Sequence, residues 1–229
     1  MGVLYRMSDI FEKYSTYYDM PISQIPRPQP SDFVIKYFED KKSLFFVDIG
    51  AYDGITWSNS LPLEENYNWS GLCIEANPLA YQKLFKVRKS KNFNYAISNN
   101  DEEEMIYWAI SGYCEMLSGF EKFYDKKHIE RINKEIEEFG GNVTKIKILS
   151  KTLQSILEKE KINKIDYLSI DTEGSELSVL QGINFDLTDI TLISCENNEY
   201  NQDVEYFLTN NGYRKIVKIC GDDFYERKK

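Results

Sequence analysis

Residues 45–54 read FFVDIGAYDG, an apolar run that closes on an acid and two glycines. A continuous apolar run of this length suits a parallel strand covered on both faces. Gly50 and Gly54 lie four apart just beyond it, where a strand-to-helix turn must let a cofactor approach the backbone closely. A dinucleotide turn, G-x-G-x-x-G, would need glycine where Tyr52 stands. The D-x-G-x-x-x-G spacing suits instead a cofactor without phosphates, with Asp48 facing a cationic amino-acid moiety. The plainer alternative is that Asp48 and Gly50 only end a strand.

Working outward, strand-like and helix-like segments alternate. Strands are expected at Gly71–Glu75, Phe93–Ile97, Tyr167–Ile170 and Ile190–Cys195, and helices at Leu79–Arg88, Leu153–Lys159, Ser175–Leu180 and Val204–Asn210. Such alternation predicts βαβ units and a doubly wound, mostly parallel α/β sheet. RKIVKIC and GDDFYER, residues 214–227, read as a finishing antiparallel hairpin. Between Met105 and Leu149 the rhythm breaks, with a strand EMIYWAI, a charged helix Phe120–Phe139 and a strand VTKIKIL. This segment, about 105–149, reads as an insertion after the third or fourth strand that shapes a substrate mouth. Residues 1–43 form a preamble ahead of the 44–229 domain. It holds a short helix around Ser8–Tyr14, a connector broken by prolines 21, 26, 28 and 30, and a helix capped by Ser31 that runs through Phe38.

Glu75 ends the second strand, 21 residues after Gly54. An acid there is where α/β folds grip both ribose hydroxyls. With no phosphate cradle in sight, the pair of motifs favours S-adenosylmethionine over NAD. In IDYLSIDTEGSEL, Glu176 fits a helix N-terminus. Asp171 instead closes an apolar strand at the carboxyl edge where such sheets bind ligands. Glu196 and Asn197 close the next strand. Asp171, Glu196 and Asn197 together offer hard oxygen donors for Mg²⁺. The competing reading is a hydrogen-bonded acid pair that grips the methionine end or a sugar hydroxyl directly.

Composition removes whole classes of function. The chain has 229 residues, 42% hydrophobic, 14% aromatic and a formal net charge of -9. That is enough apolar material for a substantial core, and its acidity speaks against a nucleic-acid groove. No apolar run nears the roughly 20 residues that span a bilayer. The first residues show no signal-peptide core, and Arg6 stands where a myristoylation signal wants Ser or Thr. Four scattered cysteines without a CxxC read as reduced thiols of an intracellular, cytoplasmic protein. His128 is the sole histidine, which excludes zinc sites built from His pairs.

In order along the chain, FFVDIGAYDG, GLCIEANP, NYAISN, IDYLSIDTEGSEL and ISCENN resemble the FkbM-type family of S-adenosylmethionine-dependent methyltransferases. The resemblance implies the class I methyltransferase (Rossmann-like) fold, a seven-stranded sheet with an antiparallel last strand. It also implies methylation of hydroxyls on sugars and other small molecules. By position, Asp48, Gly50, Tyr52, Asp53 and Gly54 would cradle the methionine side and Glu75 the ribose. Ala96, Ile97 and Ser98 would border the adenine, and Asp171 would face the reaction centre. Asp171 with Glu196 and Asn197 is also similar to the magnesium ligands of catechol O-methyltransferase, with Glu in place of Asp at the second position.

The expected activity is O-methylation of a sugar that is free, nucleotide-linked or in a glycan. The alternatives are another small-molecule hydroxyl or a cofactor-binding module without turnover. A nicotinamide oxidoreductase is opposed by Tyr52. An aliphatic hydroxyl is a poor nucleophile and needs a base, for which Asp171, Glu173 and His128 are the candidates. Tyr52 and Trp57 are candidates to stack on a sugar face. Residues Ser111–Phe139 are read as a lid, with Lys126, Lys127 and Arg131 placed to pair with a diphosphate if the acceptor is a nucleotide sugar.

Overall fold

The computed structural model describes residues 29–197 and 202–228. The expected Ser8–Tyr14 helix and most of the proline connector lie outside them. Pro30 itself opens the first described helix, α1 (Pro30–Tyr37), whose N-cap is Gln29 rather than Ser31. Proline suits that first position because its missing N–H has no intrahelical partner there anyway.

The central sheet has seven strands. In chain order these are β1 (Phe45–Ile49), β2 (Ser70–Ile74), β3 (Lys91–Phe93), β8 (Lys164–Ile170), β9 (Asp189–Glu196), β10 (Tyr213–Ile219) and β11 (Asp222–Arg227). Their spatial order is β10-β11-β9-β8-β1-β2-β3. All neighbours from β9 to β3 pair in parallel, while the last strand β11 runs antiparallel between β9 and β10. This is the class I methyltransferase, Rossmann-like α/β fold, with its antiparallel strand at the expected end.

Alternation along β1 sends Val47 and Ile49 to one face and Phe46 to the other. Val47 and Ile49 join the core formed with α5 (Leu153–Glu160), α6 (Glu176–Gln181) and α7 (Asp203–Asn210). Phe46 joins Phe33, Leu63 and Leu84 from α1, α2 (Leu61–Tyr67) and α3 (Pro78–Val87). Burial on both faces explains why β1, β8 and β9 are rich in apolar residues on both sides of the strand rather than alternating apolar with exposed polar ones. α2 was not signalled by the sequence, being one short helix opened by Pro62 in a polar stretch.

The expected strand Phe93–Ile97 is two strands. Asn94 Nδ2 donates to the carbonyls of Glu75 and Ala76, at 2.8 and 3.1 Å, and leads the chain out of the main sheet after Phe93. β4 (Ala96–Ile97) then belongs to a second sheet, ordered β4-β7-β5-β6, with β5 (Glu104–Gly112), β6 (Gly119–Phe120) and β7 (Gly141–Lys151). The insertion therefore contributes strands to a sheet of its own, which its sequence pattern did not announce. Its helix α4 (Lys126–Phe139) starts six residues later than the expected Phe120, because residues 121–123 form a separate 3₁₀ turn. Asp125 caps α4 by accepting from the His128 amide at 2.7 Å, and Ile132 anchors it among Trp108, Ile110 and Leu117.

Candidate active site

Strand register builds the site. Ile49 lies opposite Ile74 on one side and Ile170 on the other, and Ile170 lies opposite Cys195. The next residue of each strand is therefore Gly50, Glu75, Asp171 or Glu196, side by side along the carboxyl edge. Asp222 pairs with Glu196 and extends the row. One glycine and four acids thus stand where open α/β sheets bind ligands.

Glycine at position 50 is enforced by geometry. Its φ is +83°, and a Cβ there would stand 1.6 Å from the Asp171 carbonyl oxygen. Gly54 serves helix packing instead, since a Cβ would press on Leu84 and Arg88 of the α3 region. Between them, Tyr52 also adopts a positive φ of 49°. Its amide donates to Glu75 Oε2 at 2.8 Å, and the Asn77 amide donates to Glu75 Oε1 at 2.7 Å. Burial pushes the Glu75 carboxyl up to about 7, against those two amides and with help from the Asp48 and Glu115 charges.

A narrow cavity of about 60 Å³ opens over this turn, lined by Gly50, Tyr52, Glu75, Ala96, Ile97 and Asp171 among others. Tyr52 Oη donates to Glu115 Oε2 at 3.1 Å across it, and Lys83 Nζ reaches the same oxygen at 2.5 Å. Glu115 belongs to the insertion and was not signalled by the sequence; only the pairing of two distant segments reveals it.

Three expected cofactor residues point elsewhere. Asp48 is buried and accepts from the Ser60 hydroxyl, which also accepts from Arg88 at 3.0 Å. Burial raises its carboxyl despite the Arg88 cation and that hydrogen bond. The Asp53 carboxylate is occupied by the Ile55 and Thr56 amides, at 2.9 and 2.7 Å, which fixes the turn. Ser98 is buried, and its hydroxyl accepts from the Asn100 amide. These three residues shape the walls from behind without lining the cavity. Trp57, 65% exposed, lines neither this cavity nor the next.

Asp171, Glu173 and Glu196 place one carboxylate oxygen each within 4.8 Å of one another. Burial, then the Glu196 and Glu173 charges, raise the Asp171 carboxyl well above its ordinary range. Burial and the Glu196 charge likewise raise Glu173, while Arg131 opposes them. Three hard oxygen donors fit a divalent cation such as Mg²⁺. Asn197, the third expected ligand, follows Glu196 at the end of the strand. Its side-chain Nδ2 donates to Asp223 Oδ2 at 2.9 Å, and Glu173 supplies a third carboxylate beside Asp171 and Glu196.

A second cavity, about 320 Å³, meets the first at Glu173, which lines both. His128, Lys127 and Arg131 of α4 line it, so the insertion does cover this edge. Lys126 instead pairs with Glu130 at 3.5 Å. The His128 ring stacks on Tyr124 at 4.3 Å, and its Nε2 lies 3.5 Å from the Leu117 carbonyl oxygen.

Residues 48–215 match the model of the methyltransferase FkbM domain. Among curated proteins, none matches this sequence. Among solved structures, methyltransferase FkbM from Methylobacillus flagellatus is similar at 13% identity and a TM-score of 0.48. The match covers 80% of this chain and 43% of that one, so the chain spans less than half of that protein's length. The human methyltransferase 10 domain containing protein is similar at 14% identity and a TM-score of 0.44, over 96% and 91% of the two chains. A SAM dependent methyltransferase from Aquifex aeolicus follows at 14% identity and a TM-score of 0.40, over 94% and 95%.

Proposed function

Because the chain belongs to the FkbM methyltransferase family, we propose that it carries the methyl group of S-adenosylmethionine to a hydroxyl of a compact acceptor. The acceptor class is a sugar, free, nucleotide-linked or in a glycan. The observation that carries the cofactor reading is the register-built row Glu75, Asp171, Glu196 and Asp222. A molecule with an ammonium and a sulfonium is attracted by such an edge, whereas the diphosphate of a dinucleotide is repelled. Glu75 would take the ribose hydroxyls, with the half-buried Tyr95 and the buried Ala96 and Ile97 beside the adenine.

The transfer itself is a displacement at carbon. The acceptor oxygen bonds to the methyl carbon, the carbon–sulfur bond breaks with its electron pair going to sulfur, and S-adenosylhomocysteine is left. The hydroxyl proton must go to a base. Asp171 and Glu173 support that role, since burial and the neighbouring carboxylates raise both above the ordinary carboxylate range, and Glu173 lines both cavities. His128 lines the acceptor side as a second candidate. Asp171, Glu173 and Glu196 would hold Mg²⁺, whose contribution would be to acidify and orient the hydroxyl.

Cys73, Cys114 and Cys195 are buried free thiols, which supports a cytoplasmic setting. No helix among the described residues is long and apolar enough to cross a membrane. Calorimetric titration with S-adenosylhomocysteine and with NADH tests the cofactor, and labelled-methyl transfer to a panel of sugars tests the acceptor. Binding of the first ligand without the second is expected. Cofactor binding with no transfer to any hydroxyl compound would replace the enzyme by a binding module.

A further inference from the structure

The second cavity has two chemically different walls. One carries Glu196 from the end of β9 with Glu173 and Glu176 from the turn and helix that follow β8, and the other carries Lys127, His128 and Arg131 from α4. Lys127 and Arg131 are four apart and His128 and Arg131 three apart, so Arg131 is a surface neighbour of both on the helix. Among the described residues Lys127 forms no ion pair, whereas Arg131 holds Glu135 at 2.8 Å and faces Glu173 and Glu196. Two of the nearby acids are already engaged. Glu176 Oε1 accepts from the Thr172 and Gly174 amides, both at 3.0 Å. Asp125 caps α4. A volume of about 320 Å³ sits at the lower end of small-molecule pockets.

We propose that this cavity takes an acceptor bearing an anionic group, phosphate or carboxylate, which sits on Lys127 and Arg131 while its hydroxyl turns toward Glu173 and the cofactor cavity. The proposal rests on the methyltransferase reading for its orientation, because the methyl donor must lie on the Glu173 side. The anion seat itself follows from α4 alone. Phe123 adds an apolar wall for a ring face. A charged acceptor anchored at one end would present a single hydroxyl to the methyl group, which a neutral sugar of the same size would not do.

The test compares glucose, glucose 1-phosphate and glucuronate by calorimetry on the full chain, each with and without S-adenosylhomocysteine. The expected result is at least tenfold tighter binding of one anionic sugar than of glucose. Phosphate preference assigns the first source and carboxylate preference the second. Lys127→Glu, an exposed change, should erase the preference while S-adenosylhomocysteine affinity stays the same. Equal binding of all three sugars, or a preference that survives Lys127→Glu, overturns the proposal. Failure of S-adenosylhomocysteine to bind would count against the cofactor reading instead, since the anion preference is also read without it.

Discussion

The Tyr52 amide donates to Glu75 Oε2 at 2.8 Å and so ties the glycine turn after β1 to the end of β2. With the Asn77 amide on Oε1, one carboxylate organises both sides of the cofactor cavity. Glu75→Ala should therefore do two things. It should weaken S-adenosylhomocysteine binding by at least tenfold, about 1.4 kcal/mol, and lower stability by about 2 kcal/mol by leaving two amides without their acceptor. Unchanged affinity in calorimetry would remove Glu75 from the ribose site.

A pH dependence follows from the same group. Burial first of all raises Glu75 to about 7, whereas in the unfolded chain it ionises near the ordinary value of about 4.3. Between those values the folded chain holds a proton that the unfolded chain has lost. This group's contribution to stability is thus intact below the ordinary value and is lost as pH rises through about 7. Ribose hydroxyls donate to the ionised carboxylate, so S-adenosylhomocysteine affinity should rise roughly tenfold between about pH 6 and pH 8. A flat profile, with Glu75→Gln equally flat, would mean the carboxylate does not meet the ligand.

Much of this was legible in the sequence because β1, β2, β8 and β9 are buried on both faces and end on Asp48, Glu75, Asp171 and Glu196 or next to them. Burial leaves an apolar run, and the edge leaves an acid. The rest depended on partners far away in the chain. Nothing in FNYAI shows that Ala96 and Ile97 pair with Ser150 and Lys151 rather than continue β3. Nor does Asn197 show locally that its amide will be taken by Asp223. Asp48 occupies the expected position, yet its role is decided by Ser60 and Arg88, which no spacing rule brings to it.

The Gly50 turn gives a stability contrast. Gly50→Ala would put a methyl group 1.6 Å from a backbone carbonyl oxygen that cannot yield. The expected loss is about 3 kcal/mol or more, combining overpacking with a strained φ. Gly212 has a similar φ of +86°, but nothing lies within 4 Å of its would-be Cβ, so Gly212→Ala should lose only about 1 kcal/mol. Equal urea midpoints for the two variants would refute the close approach of Gly50 to Asp171.

The three carboxylates Asp171, Glu173 and Glu196 repel one another in a partly buried corner. Millimolar Mg²⁺ or Mn²⁺ should raise the melting temperature of the chain by binding the folded state alone. In Glu196→Gln that rise should shrink or vanish, because one of three hard donors is gone. If neither ion shifts the wild-type transition, and methyl transfer proceeds fully in EDTA, the metal leaves the scheme and a carboxylate or His128 takes the proton.

Tyr52 and Glu115 set a further condition on catalysis. The cavity beneath them, about 60 Å³, is well below the roughly 300 Å³ at which small-molecule sites begin. The Tyr52–Glu115 contact ties the glycine turn to the insertion beside this cavity, so cofactor entry is expected to open it. Tyr52→Phe deletes the hydroxyl alone; the ring and the amide bond to Glu75 remain, and Glu115 keeps Lys83. The lost bond is half-exposed, so stability should fall by only about 1 kcal/mol. Both association and dissociation of S-adenosylhomocysteine should quicken severalfold in stopped-flow fluorescence, because the opening step becomes easier for entry and exit alike. Changes confined to the dissociation rate would identify the Tyr52 hydroxyl as a direct ligand contact instead. Rates identical to wild type would show that the contact does not govern access at all.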